Sequence, residues 1–291
     1  MTQGQTTPRR VEICAFPKAR RMAVTTSFDD GHVFDRRIVR AFNEWGLKGT
    51  FNLNSASLGR TGGPTPEGAS RGHLDACEIA DLYRGHEVAV HGLTHPWLDR
   101  LDRVQVAREV LEDRIALEDL VGYPVRGMAY PFGAYSRAVI DVLREVGIVY
   151  SRTCENAECC FPAAEPLAWP TTAHQFATNP SVLERFARRY DNPRYTGVFA
   201  VWGHGFEFHD RNDWEALERI FKPLSGKSDI WYCTNIELFD YEEARRRMVI
   251  AANRATAFNP SGIAVTLNVD GALVDVPAGA LVRLAPAAGC V

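Results

Sequence analysis

Apolar, β-rich runs alternate with segments of helical periodicity along most of the chain. In residues 34–45, for example, Ile38, Val39 and Phe42 fall on one face of a predicted helix, and Gly46 follows its end. The predicted strands are residues 22–28, 49–54, 87–90, 127–130, 148–151, 197–202 and 229–234, and the predicted helices are residues 34–45, 101–121, 136–147, 214–224 and a last one that begins near residue 235.

This alternation predicts an α/β fold with a parallel sheet and crossover helices, either open or closed into a barrel. The pattern changes after residue 252, where two β-rich runs flank Asp270-Gly271, a dipeptide typical of hairpin turns. We expect this tail to pack outside the sheet domain and to contribute nothing catalytic. The predicted organisation is an N-terminal extension of residues 1–21, an α/β domain of residues 22–250 and a small β-hairpin appendage of residues 251–291.

Composition and charge narrow the function classes. The chain has 291 residues, of which 46% are hydrophobic and 24% charged, as is typical of a globular protein. A formal net charge of -3 without a long basic block argues against nucleic-acid binding. The first 21 residues lack the apolar core of a signal peptide and no later segment is a membrane span, so we expect a cytoplasmic protein without a membrane partner. The odd count of 7 cysteines predicts reduced thiols, and the oligomeric state stays open.

Two adjacent carboxylates close the first predicted strand, in the stretch Ser27-Phe28-Asp29-Asp30-Gly31. Neighbouring residues of a strand point to opposite faces, so a regular strand would direct one of these carboxylates into the core. An unpaired buried carboxylate is strongly unfavourable. Asp30-Gly31 by itself is typical of a tight turn, so at this point a turn and a functional pair of carboxylates both remain open.

Histidines and turn residues follow three other predicted strands. His91 follows the third predicted strand and His95 lies four residues further on, so that the two imidazoles can share one face and hold one cation. The stretch YPFG at residues 130–133 follows another strand, and the stretch WGHG at residues 202–205 follows a fourth. Because the carboxyl ends of parallel strands build the active site in α/β folds, we expect these groups to meet at one edge of the sheet.

The stretches SFDDG, HGLTH, YPFG and VWGH, in this order and spacing, resemble the signature blocks of the polysaccharide deacetylases, carbohydrate esterase family 4. The resemblance covers about residues 22–234 and is closest to a bacterial branch described as gellan-lyase-like. It implies an irregular (β/α) barrel with fewer than eight strands. It also implies a hydrolase that removes acetyl groups from carbohydrates.

The resemblance assigns a cation site and a general base. Asp30, His91 and His95 resemble the ligands of one divalent cation, with Zn²⁺ as the first choice and Co²⁺, Ni²⁺ or Mn²⁺ as alternatives. Such a cation would lower the pKa of a water molecule towards neutrality. Asp29 resembles the general base that takes a proton from this water, which would give both carboxylates of the pair a function.

The same resemblance assigns the remaining chemical roles. The backbone N–H of Phe132 resembles the donor that stabilises an oxyanion, and His204 resembles the general acid that protonates the leaving group. The family's third block usually begins with an arginine that orients the base, but this sequence has Ala129 there. Arg126 or Arg152 could take over that role, and we favour Arg152 because it lies at the end of the next predicted strand.

Two further departures from the family pattern concern the surroundings of the site. Gly92 stands where a hydroxyl residue is more usual, so we expect the support of the cation ligands to differ. The fourth block of the family, an acidic pair with an aromatic residue, is not recognisable, and Trp169 and His174 are candidates for that wall of the pocket. Aromatic rings suit sugar rings, although rings near strand ends are more often core. The candidate substrate-binding residues are His32, Tyr130, Trp169, Trp202 and Phe206, and Trp97 could line the same cleft.

Three functions are compatible with the sequence. The first is a metal-dependent hydrolase that removes acetyl groups from an N- or O-acetylated carbohydrate. The second is a hydrolase of a small amide or formyl compound with the same fold and cation, and the missing signal peptide favours it. The third is a non-catalytic carbohydrate-binding protein. The presence of all five expected catalytic and ligand side chains argues against it, and these are Asp29, Asp30, His91, His95 and His204.

Overall fold

The computed structural model describes residues 9–62 and 71–284. Its strands are β1 (Val11–Ile13), β2 (Met22–Asp29), β3 (Thr50–Leu53), β4 (Glu87–Val90), β5 (Gly127–Ala129), β6 (Tyr150–Asn156), β7 (Trp169–Thr171), β8 (Ala173–His174), β9 (Gly197–His204), β10 (Ile230–Tyr232), β11 (Val249–Ile250), β12 (Thr256–Phe258), β13 (Val265–Val269), β14 (Ala272–Val276) and β15 (Leu281–Arg283). Its α-helices are α1 (Asp35–Trp45), α2 (Ile79–Leu82), α3 (Arg103–Val121), α4 (Arg137–Glu145), α5 (Val182–Tyr190), α6 (Phe206–Asp210), α7 (Glu215–Phe221) and α8 (Asn235–Arg247). None of the helices in the described part of the chain is long and apolar enough to cross a membrane. The six cysteines among these residues are free thiols.

A parallel sheet forms the centre of the fold. Its strands follow the order β7-β6-β5-β4-β3-β2-β9-β8, and β10 pairs with the first residues of β2 beside this path. The ladders of this sheet are parallel throughout. At its carboxyl edge Asp29 is paired with Asn52 of β3 and with His204 of β9. The predicted α/β class is therefore confirmed, and the register brings two of the chemical stretches side by side.

The sheet has more strands than the family resemblance implied. Its path contains eight strands and β10 adds a ninth, whereas fewer than eight were expected. The unexpected strands are β7 and β8, which have three and two residues and are separated by Thr172 alone. Strands this short leave no periodic signal in a sequence. Within the described residues no ladder joins β7 to β8, the two ends of the path.

Helices α1 and α3 end where their sequences predict and begin one and two residues later. The φ of 70° at Gly46 places this residue in the left-handed region that ends α1. Asp102 caps α3 by accepting a hydrogen bond from the backbone N–H of Gln105 at 2.9 Å, and Gly122, with a φ of 75°, ends it. Both predicted helices are confirmed, with starts one and two residues later than expected.

The N-terminal extension and the C-terminal tail share a β-rich unit. The predicted hairpin is present as β13 and β14, joined at Asp270-Gly271, but its third strand is β1 from the N-terminal extension. A second antiparallel sheet contains β11, β12 and β15. Apolar side chains of both sheets pack against Tyr241 and Ala244 of α8. The tail therefore packs on the last helix of the α/β domain, while its separation from catalysis stays a prediction.

Candidate active site

Asp29 ends β2 as a fully buried carboxylate with an arginine as its counter-ion. Nη2 of the buried Arg152, on β6, donates to Oδ1 of Asp29 at 2.5 Å and also to Oδ2. Nδ2 of Asn52 donates to the same Oδ1 at 2.8 Å. Arg126 instead pairs with Asp240, at 3.0 and 2.6 Å. Of the two arginines considered for orienting the base, Arg152 is the one that contacts it.

Electrostatics keep Asp29 ionised. Burial alone would raise the pKa of this carboxyl, but the charge of Arg152, and then those of His91 and His204, lower the pKa to about 2. Nε2 of His91 lies 4.0 Å and Nε2 of His204 lies 3.8 Å from Oδ2 of Asp29. Asp29 is therefore a carboxylate at neutral pH, in contact range of both histidines.

Asp30, His91 and His95 bring three potential ligand atoms together. Oδ1 of Asp30 lies 3.5 Å from Nε2 of His91 and 3.5 Å from Nε2 of His95, and all three atoms lie within 4.8 Å of one another. Asp30 has a φ of 79° and His95 a φ of 60°, in the left-handed region that residues other than glycine rarely adopt. Since Asp30 has left the extended conformation, the carboxylates of Asp29 and Asp30 are not forced to opposite faces of the sheet. A turn and a functional pair are therefore compatible, because the backbone turn brings the two carboxylates to the same cluster, and their function stays a prediction.

A hydrogen bond fixes the ring of His91. Its Nδ1 lies 2.8 Å from the carbonyl oxygen of Ala129, so Nδ1 carries the proton and Nε2 presents a lone pair to Asp30 and His95. Burial lowers the pKa of His91. The ring is therefore held as a neutral imidazole, the form that binds a metal ion.

The loop that carries His91 and His95 is anchored on the side of β3. Nδ2 of Asn54 donates to the carbonyl oxygens of His91 and Gly92, each at 2.6 Å. Gly92 itself has a φ of 76°, so glycine suits the turn at this position. The support that a hydroxyl side chain would give after His91 is supplied here by an amide from the neighbouring strand end.

The inner face of α3 anchors the same loop with two acidic side chains. Asp113 accepts a hydrogen bond from the backbone N–H of His91 at 3.1 Å, and burial raises the pKa of Asp113 to about 7. Glu109 accepts from the backbone N–H of Thr94 at 2.9 Å and from its hydroxyl at 2.7 Å. The positions of the two histidines therefore depend on α3 as well as on the sheet.

One carboxylate oxygen of Glu207, on α6, lies within hydrogen-bond distance of four nitrogen donors. Its Oε2 lies 2.7 Å from Nε2 of Gln175, 3.0 Å from Nε2 of His174, 3.2 Å from the backbone N of His204 and 3.3 Å from Nδ1 of His204. The backbone N–H of Phe176 donates to Nδ1 of His174, so the proton of that ring lies on Nε2 and points to Glu207. Burial raises the pKa of Glu207, but the hydrogen bonds and charges of the two histidines hold it well below its usual range.

Glu207 also determines where His204 carries its proton. Because Nδ1 of His204 donates to this carboxylate, Nε2 is the atom that faces Asp29, at 3.8 Å. Burial lowers the pKa of His204, but the hydrogen bond to Glu207 and the charges of Asp29 and Asp30 raise it overall. His204 therefore keeps its proton to a higher pH than an ordinary histidine, as suits a proton donor to a leaving group.

Trp97 and Phe132 form an exposed aromatic pair beside the histidines. Their rings are stacked 4.3 Å apart with an interplanar angle of 5°, and Phe132 packs edge-on against His95 at 4.5 Å. Phe132 has a φ of 58° in the turn Pro131–Gly133 that follows β5. The residue whose backbone N–H is the expected oxyanion donor is thus next to the histidine cluster.

Three of the predicted substrate-binding residues lie half-buried near these groups. Nε2 of His32 lies 3.9 Å from Oδ2 of Asp30, and its ring packs edge-on against Phe206 at 5.2 Å. The indole ring of Trp202 lies against the guanidinium group of Arg152 at 4.7 Å. The structure therefore brings His32, Phe206 and Trp202 to the site.

Trp169 and Tyr130 do not line the cleft. Both side chains are only 1% exposed. The indole N–H of Trp169 donates to the carbonyl oxygen of Cys160 at 2.9 Å, and the hydroxyl of Tyr130 donates to the carbonyl oxygen of Leu167 at 2.6 Å. Because each ring is enclosed and each polar atom already has a partner, these two residues are core, which corrects their assignment as substrate-binding residues.

The sequence analysis missed Glu207 as the partner of His204. Its one signal is local, since a carboxylate stands three residues after His204 in the stretch WGHGFE and α6 begins between them. The sequence analysis instead gave Trp169 and His174 as candidates for the wall that the family's acidic fourth block would form. His174, assigned to the pocket wall, is in fact bonded to Glu207, which no spacing in the sequence reveals.

Residues 17–151 match the polysaccharide deacetylase family. This span contains the Asp29-Asp30 pair, both histidines of the loop and Phe132, and it ends immediately before Arg152. No curated protein sequence matches the chain. The gellan-lyase-like branch therefore stays a prediction.

Solved structures share the fold at low sequence identity. A putative polysaccharide deacetylase from Mycobacterium smegmatis is 18% identical, with a TM-score of 0.61 over 82% of this chain and 96% of that one. The Xyl-CE4 domain of a multidomain xylanase from the hindgut metagenome of Trinervitermes trinervoides is 17% identical, with a TM-score of 0.50 over 77% of this chain and 92% of that one. The chain spans only 55% of the Streptococcus pyogenes deacetylase PplD, solved in complex with acetate, with 45% of this chain covered, 16% identity and a TM-score of 0.40. Residues 17–151 are therefore similar to the polysaccharide deacetylase family, and the solved structures share the α/β fold of this chain.

Proposed function

We propose that this chain is a metal-dependent hydrolase that removes acetyl groups from an N- or O-acetylated carbohydrate. The observation that carries the proposal is the cluster of Asp30, His91 and His95 with an ionised carboxylate beside it. Nε2 of His91 lies 3.5 Å from Oδ1 of Asp30 and 4.0 Å from Oδ2 of Asp29. The family match over residues 17–151 supports the same class of reaction.

The donor set of the cluster fits a divalent cation, with zinc as the first choice. One carboxylate oxygen and two imidazole nitrogens are ligands that zinc accepts, and catalytic zinc sites keep a further position open. Cobalt, nickel and manganese ions accept nitrogen and oxygen ligands as well. His91 supports the fit because its Nδ1 is engaged by Ala129, which leaves Nε2 unprotonated. Such a cation, when bound, lowers the pKa of a water molecule towards neutrality.

In the proposed reaction the side chains around the cluster move the protons. Asp29 takes a proton from the attacking water, and Arg152 holds this carboxylate in place. His204 gives the proton on Nε2 to the departing amine or alcohol, while Glu207 holds Nδ1. The backbone N–H of Phe132 stabilises the negative charge that develops on the carbonyl oxygen of the acetyl group.

The surroundings of the cluster favour a sugar as the acetylated group. Partly exposed aromatic rings border it, and such rings present large apolar faces to a ligand. Those nearest the histidines are Trp97, Phe132 and Phe206. The related folds include one described as a putative polysaccharide deacetylase and one described as a domain of a xylanase, which supports a carbohydrate substrate.

A substrate panel tests the proposal. Purified protein with and without chelator is incubated with acetylated chitooligosaccharides, acetylated xylan and a set of small acylated amides, and released acetate is measured. We expect chelator-sensitive release from a carbohydrate, with activity restored by added zinc, and no release by His91→Ala. Hydrolysis confined to the small amides would replace this substrate class, and carbohydrate binding without any release would contradict an enzymatic function.

A further inference from the structure

The outer face of α3 carries an apolar stripe that no other described part of the chain covers. Val104, Ala107, Leu111 and Ile115 recur at intervals of three and four residues along this 19-residue helix. Val104 is 64%, Leu111 42% and Ile115 50% exposed. Together with Val142 of α4 the stripe lines a groove of about 390 Å³. Single exposed apolar residues are common, whereas contiguous apolar surface is where contacts between proteins form most readily.

Two charged residues beside the stripe lack a side-chain partner. Arg108 and Glu112 are exposed and lie one helical turn apart. Within residues 9–62 and 71–284, neither side chain forms an ion pair or a hydrogen bond. On the inner face of the same helix, by contrast, Glu109 and Asp113 are engaged by the backbone of the histidine loop. Within the described chain, the charged side chains of α3 that lack an ion pair and a hydrogen bond therefore lie on the outer face alone.

If a second copy of α3 packs antiparallel, the apolar residues of its stripe lie opposite those of the first. A two-fold axis near residues 109 and 110 places Val104 against the partner's Ile115 and Ala107 against the partner's Leu111, because the midpoint of each pair falls at that point of the helix. Residues three and four apart on one helix form the continuous ridge that such packing requires.

The charges match in the same arrangement. The pair Arg108 and Glu112 has its midpoint at residue 110, so the same axis places Arg108 against the partner's Glu112, twice in the dimer. Arg108 and Glu112 lie on the same side of the stripe, and an antiparallel two-fold pair brings that side of one helix against the same side of the other. Apolar and charged positions therefore agree on one orientation.

From this agreement we propose that the outer face of α3 docks a second copy of this chain, by an antiparallel contact of α3 with the partner's α3. Residues 104–115 extend over about 17 Å at 1.5 Å per residue. A contact centred on one helix pair of this length is small beside stable specific interfaces, which bury about 1,200 Å² or more in total. The dimer should therefore dissociate on dilution.

Sedimentation velocity on the full chain, over a range of concentrations, tests the dimer. We expect the wild-type chain to shift from monomer to dimer as its concentration rises, and Leu111→Glu to remain a monomer throughout. Arg188→Glu, a charge reversal on the exposed face of α5, is the matched control and should dimerise like the wild type. A wild-type chain that remains monomeric up to several hundred micromolar would overturn the proposal.

Charge reversal tests the orientation. Arg108→Glu and Glu112→Arg should each raise the dissociation constant about tenfold, because each replaces two attractive pairs of the dimer by two repulsive ones. Mixed in equal amounts, the two variants should form a heterodimer, since every contact between them joins a glutamate to an arginine. A wild-type dimer that responds to these reversals no more than to Arg188→Glu, or a mixture that associates no better than its components, would overturn it as well.

Discussion

The ligand half of the candidate active site, which consists of Asp30, His91 and His95, is built from local spacing. Asp30 directly follows the last residue of β2, and the two histidines follow β4 at a separation of four residues. Positive φ angles at Asp30 and His95 turn the chain so that three ligand atoms lie within 4.8 Å. Each of these side chains lies at its own strand end or in the loop directly after it, although Asn54 and α3 also anchor the histidine loop.

The proton-transfer half, which consists of Asp29, Arg152, His204 and Glu207, is built from distant segments. The ion pair of Asp29 and Arg152 joins positions 123 residues apart. Three of the four residues lie beyond residue 151, where the family match ends. The comparison of the two halves teaches that ligand positions can be predicted from short motifs, whereas the charges that tune proton transfer depend on contacts between distant segments.

The largest effect should come from removing the counter-ion of the base. We expect Arg152→Met to lower the free energy of unfolding by about 3–5 kcal/mol, because it leaves the buried carboxylate of Asp29 unpaired. The control Arg126→Met breaks a half-buried pair with Asp240 and should cost only about 0.2–1 kcal/mol. Chemical denaturation of both variants measures the difference.

A double variant sharpens this result. In Arg152→Met combined with Asp29→Asn the carboxylate that would lack a partner is gone, so most of the lost stability should return, while the rate should stay at least about 10²-fold below that of the wild type. Equal losses of unfolding free energy for Arg152→Met and Arg126→Met would show that breaking the buried pair of Asp29 and Arg152 is no more unfavourable than breaking a half-buried pair.

A smaller effect should come from Glu207→Gln. The variant loses a hydrogen bond to a charged group, and we expect turnover to fall about 10- to 100-fold. His204 donates a proton only below its pKa, so the rate falls as pH rises through that pKa. Since Glu207 raises the pKa of His204, its loss should move this alkaline limb to lower pH. The pH dependence of kcat measures the shift.

The control for this shift is Glu215→Gln, which changes an exposed carboxylate on α7 and should leave the profile unchanged. An alkaline limb at the same pH in Glu207→Gln and in the wild type would mean that Glu207 does not act through His204. In that case the proton-transfer half would not include Glu207.

The smallest effect should come from the aromatic pair beside the ligand half. Trp97→Ala removes a ring stacked on Phe132 and should raise KM for a carbohydrate substrate about two- to tenfold, because aromatic contacts contribute about 0.5–1.5 kcal/mol. Turnover at saturation should change little. Tyr123→Ala, an exposed aromatic residue after α3, is the control. A loss of kcat without a change in KM would mean that Trp97 contributes to the chemical step and not to substrate binding.

The sequence predicted seven of the nine strands of the sheet, and the convergence of their ends, because both depend on short-range patterns. Asp30, His91 and His95 meet as expected, since parallel strands bring their carboxyl ends to one edge. Arg152 was found by the same reasoning, from its place at the end of a strand. Asn54, which anchors the histidine loop, carries no signal beyond its own strand end.

The residues that the sequence misplaced are those whose environment is tertiary. Trp169 lies in the core because its ring packs against Tyr150 and Phe239 and its indole N–H is satisfied by the carbonyl oxygen of Cys160, contacts that no periodicity encodes. Glu207 was overlooked because a carboxylate three residues after a histidine is common on helices. The strands β7 and β8 were too short to leave a pattern.

The most direct test of the proposed chemistry separates the two neighbouring aspartates by zinc content and turnover at several zinc concentrations. We predict that Asp30→Asn binds zinc more weakly and recovers part of its rate in excess zinc, because a neutral amide oxygen is a poorer ligand than a carboxylate. Asp29→Asn should keep its zinc and lose about 10²- to 10⁴-fold in rate, which added zinc does not restore. Equal loss of zinc in both variants, or rescue of Asp29→Asn by zinc, would contradict the assignment of Asp30 as ligand and Asp29 as base.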